Sequence, residues 1–232
     1  MKSGNPEKIK EAVVTIVEET LTEPRAGSLE GVSDTVKILV RECINEVDVI
    51  KQLIDMSPNG YSTVLHSINV MAFALAFASY YRYSEEDAKK LGLCALLHDV
   101  GKTKINQELL TAPRKLTNAE FQEIKSHTTT GYQILRECDF DTKEISIGAL
   151  EHHEKLDGSG YPNNKTAISP IAQIIGLIDC YEALTNDDRP YRNSMNAFET
   201  LGQIIKKDVK NGKYSAELYT QFVKSLGAMM KQ

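Results

Sequence analysis

The chain has 232 residues, 41% of them hydrophobic and 25% charged, with a net charge of -5. That is enough apolar material for one sizeable core and excludes a disordered chain. It also argues against binding a nucleic acid polymer, because no run of Lys and Arg builds a basic surface. The four cysteines, Cys43, Cys94, Cys138 and Cys180, are far apart and form no C-x-x-C pair. They are expected to be reduced thiols of a cytoplasmic protein. Met1 to Lys10 is polar and lacks the apolar stretch of a signal peptide, and the run Val70 to Ala78 is too short to span a bilayer. No membrane association is expected.

Apolar residues recur at three- and four-residue spacing nearly throughout, so the fold class is all-α. The spacing predicts a first amphipathic helix over Pro6 to Leu21, with Ile9, Val13, Ile16 and Val17 on one face. Glu23-Pro24-Arg25-Ala26-Gly27-Ser28 breaks it. Residues 1–30 therefore read as a helix and linker suited to a dimer or signalling-partner contact, and residues 31–232 as the main domain. Val32 to Asp55 is expected to form one or two helices, and Ser62 to Tyr81 a long apolar helix holding His66. Glu85 to Asp99 follows, stopped by Gly101. Thr117-Asn-Ala-Glu120 is a capping box that opens a helix running to about Arg136 with His127 on it. A helix starting at Asp141-Thr-Lys-Glu144 leads to His152-His153. Ile168 to Leu184 carries Asp179, and helices near Ala197 to Lys207 and Ser215 to Met229 close the chain.

All five histidines, His66, His98, His127, His152 and His153, lie where they could ligate a metal. Neutral imidazoles and carboxylates spread over several helices suit borderline-hard transition metals. His98-Asp99 at a helix end offers an imidazole and a carboxylate on adjacent directions, and a carboxylate can bridge two cations where an imidazole cannot. On its own the pair would be an ordinary helix terminus. Lys102 in H-D-V-G-K adds a cation that a phosphoryl oxygen would meet. His127 shares a partly core-directed face, so a satisfied core histidine and a ligand are equally consistent with its spacing. At least one of His152 and His153 must face inward. Asp179 interrupts the apolar stripe Ile171, Ile175, Ile178, where an unpaired carboxylate would be costly and a cation beside it would remove the cost.

H-D-V-G-K followed by H-H-E-K-L-D-G-S-G-Y-P resembles the HD-GYP family, a branch of the HD-domain metal-dependent phosphohydrolases. Ala183-Leu-Thr, Arg189-Pro-Tyr-Arg192 and Gly212-Lys-Tyr-Ser-Ala-Glu-Leu fit the same pattern. The resemblance implies an HD-domain helical bundle around a binuclear centre of iron or manganese. It also implies hydrolysis of cyclic di-GMP to linear pGpG, in some members on to GMP, by a hydroxide bridging the metals. Carried over, His66, His98, Asp99 and Asp179 would hold one metal, and Asp99, His127, His152 and His153 the other. Asp99 and Lys102 would be catalytic, with Lys102 on the scissile phosphate. Gly160, Tyr161, Arg189 and Arg192 would line the nucleotide cleft. Two cations about 3.5–4 Å apart would acidify a bridging water and neutralise the phosphate. Glu154, beside the histidine pair, is expected to orient ligands rather than ligate.

The chain departs from the family pattern at several places. Ser62 stands where some members carry a third-metal Glu, so two metals are expected. The loop Asn163-Asn-Lys-Thr-Ala is shorter than usual, Asn186-Asp187-Asp188 before Arg189 is one residue longer than usual, and Asn106 and Arg114 replace a frequent Pro and Gly. These changes surround the cleft. They leave open another cyclic dinucleotide or nucleotide as substrate, and a silent metal- and nucleotide-binding scaffold.

Overall fold

The computed structural model describes residues 6–45, 63–138, 143–186, 196 and 199–229. Helices dominate, and there is no strand among the described residues. Helix α1 (Pro6–Thr22) and helix α2 (Ala26–Asn45) form a hairpin. Val13 and Val17 of α1 are buried as the periodicity requires, whereas Ile16 is only half-buried. They meet Leu29, Val32, Val36, Leu39 and Val40 of α2. At the corner Pro24 ends the first helix, and Ser28 Oγ accepts from the Arg25 backbone N–H at 3.0 Å. Helix α2 thus begins at Ala26, inside the segment expected as linker, and α1 packs on α2 and on the next helix.

That helix, α3 (Thr63–Tyr80), is the centre of the molecule. It is apolar all round, and every residue from Leu65 to Ala78 except Asn69 is buried. A helix without a polar face needs neighbours on all sides. Here α4 (Glu85–Leu97), α9 (Pro170–Thr185) and α11 (Ala216–Met229) join α1 and α2 around it. By length and composition α3 could cross a membrane, but 67% of it is buried inside this protein and it holds a histidine of the site described below. An edge-to-face chain of rings, Phe73 to Tyr181 to Phe222, ties α3, α9 and α11 together.

Local signals start the helices. Ser84 caps α4, accepting from the Asp87 N–H at 3.1 Å, with three acidic residues in the first turn. Ser169 caps α9, which has Pro170 at its first position. The capping box at Thr117 and Glu120 forms as expected. The helix it opens does not run through to Arg136: α6 (Asn118–Lys125) stops, and α7 (His127–Glu137) starts after Ser126. Ser126 Oγ donates to Glu123 O at 2.6 Å, and Thr128 Oγ1 to Lys125 O at 3.0 Å. His127 Nδ1 lies 2.7 Å from Ile124 O. Side chains thus take the carbonyls that a continuous helix would have used, and the chain turns there.

A 3-10 turn (Val100–Lys104) and the short α5 (Gln107–Leu110) lie between α4 and α6. Helix α8 (Lys143–Glu151) precedes the motif loop and α9. The C-terminal part is a π-helical turn (Thr200–Ile205) continuing into α10 (Lys206–Lys210), then α11. The sequence reading had no signal for the 3-10 turn or the π turn. Gly101 follows the end of α4 as expected of a stop, but its φ is not positive. What it provides is space. A Cβ there would lie 2.0 Å from His127 O and 2.5 Å from Gly131 N, so only glycine lets the 3-10 turn seat on the start of α7.

Candidate metal centre

Five segments converge on one buried point: His66 from α3, His98 and Asp99 after α4, His127 at the start of α7, His152 and His153 after α8, and Asp179 from α9. His66, His98, Asp99, His127 and His152 are each at most 1% exposed. Their ligand atoms fall into two groups able to hold a metal, His66 with His98 and Asp179, and Asp99 with His127, His152 and His153.

The helix ends explain why the imidazoles point correctly. A helix leaves its last carbonyls without backbone partners. His98 follows α4 and places Nδ1 2.6 Å from Ala95 O. His127 follows α6 with Nδ1 2.7 Å from Ile124 O, and His152 follows α8 with Nδ1 2.9 Å from Ala149 O. In each case the histidine binds the carbonyl three residues back. That bond requires the proton on Nδ1, which leaves the Nε2 lone pair facing the centre. His66 reaches the same tautomer differently, with Nδ1 2.5 Å from Glu182 Oε2.

Asp99 stands between the two groups. Its Oδ2 is 3.5 Å from His66 Nε2 and 3.3 Å from His98 Nε2. Its Oδ1 is 3.3 Å from His127 Nε2 and 3.9 Å from His152 Nε2. Each oxygen faces one group, which is the placement of a bridging carboxylate. Asp179 Oδ1 is 3.1 Å from His66 Nε2, and its Oδ2 is 3.9 Å from His153 Nδ1.

The residues fit metal ions on the structure's own terms. His98 Nε2 and Asp99 Oδ1 are buried and find no hydrogen-bond partner among the described residues. His127 Nε2 and His152 Nε2 face each other at 3.3 Å. With both Nδ1 atoms protonated, that contact brings two lone pairs together, an arrangement relieved by a cation between or beside them. Burial holds the pKa of His127 below the usual imidazole value and that of His152 well below it, and pushes His153 down to about 3. All three are therefore neutral at pH 7, as ligands must be. For Asp99 burial acts upward, but the Lys102 ammonium beside it opposes that, and the carboxyl is held well below its ordinary value.

A family profile described as "HD domain" matches residues 48–218. The chain belongs to the HD-GYP branch of the HD domain family. It is 30% identical over 197 residues to a cyclic di-GMP phosphodiesterase of Pseudomonas aeruginosa, covering 84% of this chain and 47% of that protein. It is 31% identical over 191 residues to a 3'3'-cGAMP-specific phosphodiesterase of Vibrio cholerae, covering 82% and 43%. The chain thus spans less than half the length of these curated relatives. Among solved structures, an HDG"Y"P protein from Bdellovibrio bacteriovorus shares the fold with a TM-score of 0.81 at 16% identity, over 97% of this chain and 74% of that one.

Around this HD-GYP centre the other expected residues take distinct places. Lys102 Nζ sits 2.5 Å from Asp99 Oδ2, at the edge of the cluster. Tyr161 closes the other side, its ring 4.7 Å from that of His153, with Lys125 Nζ 5.1 Å from the Tyr161 ring centroid. Gly160 is buried, and a Cβ there would meet Lys155 N at 2.3 Å, so it shapes the loop by close approach. Glu154 orients that loop and not an imidazole: its carboxylate accepts from the Asn163 N–H at 2.7 Å and the Lys165 N–H at 2.9 Å. Arg189, Arg192 and Ser62 lie outside the described residues.

Glu182 was missed by the sequence reading. It is 2% exposed and accepts from His66 Nδ1, from Asn69 Nδ2 at 3.0 Å and from Asn186 Nδ2 at 2.7 Å. A signal was available: Glu182 is three residues after Asp179 on the same helix, so both carboxylates share a face.

Proposed function

We propose that this chain is a metal-dependent phosphodiesterase that opens cyclic di-GMP, with linear pGpG or GMP as the final product. The observation that supports this most is Asp99, whose two oxygens face two separate sets of imidazole lone pairs. The site residues follow from it. His66, His98, Asp99 and Asp179 would hold one divalent ion, and Asp99, His127, His152 and His153 the second. Mixed imidazole and carboxylate donors suit iron or manganese. When bound, two such ions would supply Lewis acidity that activates water and neutralises the phosphate.

The chain's own groups do the rest. Lys102, paired with Asp99 at the edge of the cluster, would contact the scissile phosphate. Tyr161, half-buried beside His153, offers a ring face to a base at the mouth of the centre. Gly160 holds the tyrosine's loop close, and Arg189 and Arg192 are assigned to the nucleotide on the motif alone. Residues 31–232 form the catalytic unit in this reading, and residues 1–30 a segment that modulates it. Cys94, Cys138 and Cys180 are free thiols, in keeping with a cytoplasmic setting.

A second reading, hydrolysis of a mixed cyclic dinucleotide, is favoured by the similarity to the 3'3'-cGAMP-specific Vibrio enzyme. The test is product analysis by chromatography after loading with iron(II) or manganese(II) and incubation with cyclic di-GMP and 3'3'-cGAMP in separate reactions. Asp99→Ala serves as control. Hydrolysis of cyclic di-GMP that is lost in Asp99→Ala is the expected result. A fully metallated protein that cleaves neither nucleotide would overturn the phosphodiesterase assignment.

A further inference from the structure

A cavity of about 260 Å³ opens beside the metal centre, between the end of α1, the start of α3, the 3-10 turn and α5. Its lining includes Glu18, Leu21, Val64, Lys102, Gln107 and Leu110. Lys102 joins it to the centre, since its Nζ also meets Asp99 Oδ2 at 2.5 Å. Val64 lies two residues before His66 on α3. Whatever fills this cavity therefore lies next to a phosphate held at Lys102.

Size and chemistry narrow the occupant. Pockets that enclose drug-sized ligands run to roughly 300–1,000 Å³. This one suits a single nucleobase rather than a whole cyclic dinucleotide. Leu21, Val64 and Leu110 offer apolar surface for the faces of a flat ring, and Gln107 offers both a donor and an acceptor to its edge. Glu18 is exposed and stands in the lining of this cavity. Its carboxylate has only acceptors to give. Guanine matches that with two adjacent donors, N1–H and N2–H, on one edge. Adenine presents an N1 lone pair at the corresponding place and a single amino donor.

We infer that this cavity receives one base of the bound cyclic dinucleotide and that Glu18, on the N-terminal helix, reads it as guanine. The inference rests on the phosphodiesterase reading for the phosphate at Lys102 but concerns base choice. It gives α1 a direct part in the cleft: a helix outside the histidine motifs sets which base is accepted, so displacing α1 would change substrate affinity without touching a metal ligand.

The test compares the parent with Glu18→Ala and Glu18→Gln. Steady-state hydrolysis of cyclic di-GMP and cyclic di-AMP is measured with manganese(II), and binding of cyclic di-GMP to the metal-free protein by equilibrium dialysis. A bond from a charged acceptor at an exposed site predicts about a tenfold rise in KM for cyclic di-GMP. It predicts little change in kcat, and a similar fall in the preference for cyclic di-GMP over cyclic di-AMP. Binding to the metal-free protein should weaken in parallel. An unchanged preference and unchanged binding in Glu18→Ala would overturn the inference. If the parent binds cyclic di-GMP but hydrolyses nothing, the phosphodiesterase reading fails and the binding comparison alone judges Glu18. If it neither binds nor hydrolyses, both fail.

Discussion

Replacing Glu182 with Gln tests whether the centre depends on a group that touches no metal. Three donors converge on this carboxylate: His66 Nδ1 at 2.5 Å, Asn69 Nδ2 at 3.0 Å and Asn186 Nδ2 at 2.7 Å. An ionised carboxylate has acceptor sites for all three, whereas a glutamine amide has one oxygen and must turn its NH2 toward at least one donor. The imidazole then either swings away or loses the partner that fixes its tautomer, and the Nε2 lone pair no longer points steadily at Asp179 and Asp99. Changes of this kind at an outer partner cost about 10–100-fold in metal affinity. That corresponds to roughly 1.4–2.7 kcal/mol. The assay is titration of the metal-free protein with manganese(II) against a competing chelator, with circular dichroism to verify the fold. Glu182→Gln is expected to lose one site's affinity by that factor while keeping parental helicity. Parental affinity at both sites would refute the claim that Glu182 holds His66 in place.

Gly101→Ala places a methyl group 2.0 Å from His127 O, so the 3-10 turn must lift off α7. A loss of about 1–3 kcal/mol is expected from such overpacking, and an unchanged urea midpoint would count against the close approach. Lys102→Ala is expected to leave metal stoichiometry intact and lower turnover by about 10²–10³, as for loss of a group that stabilises transition-state charge. Loss of bound metal would instead make Lys102 structural. The metal-free protein should melt at a lower temperature at pH 5 than at pH 7.5. Burial depresses the pKa of His127, His152 and His153, the last to about 3, so below about 6.5 the unfolded chain takes up protons that the folded one refuses. Stability is therefore lost as pH falls through that window. The depressed carboxyls Asp99 and Glu182 keep their stabilising contribution down to the ordinary carboxyl pKa of about 4, below this window. An equal or higher melting temperature at pH 5 would contradict the neutral-imidazole assignment.

What the sequence determined by itself is local. Helical periodicity, the Thr117 capping box and the apolar sweep of α3 each act within a few residues, and the structure reproduces them. The residue types for a metal cluster were legible too, because five histidines in motif settings leave little else for them to do. The tertiary structure decided which atoms meet. That the two oxygens of Asp99 face different histidine sets depends on α3, α7, α8 and α9 arriving together, and no spacing along the chain encodes it. The break at Ser126 came from side chains competing for carbonyls, a balance that periodicity does not register. Gly101 is legible in the sequence as a helix stop, but glycine's missing side chain matters in two ways, and only the approach of His127 O shows which one applies. Glu182 stayed hidden for a similar reason: its partner His66 is 116 residues away, and a contact at that separation exists only once the core has packed.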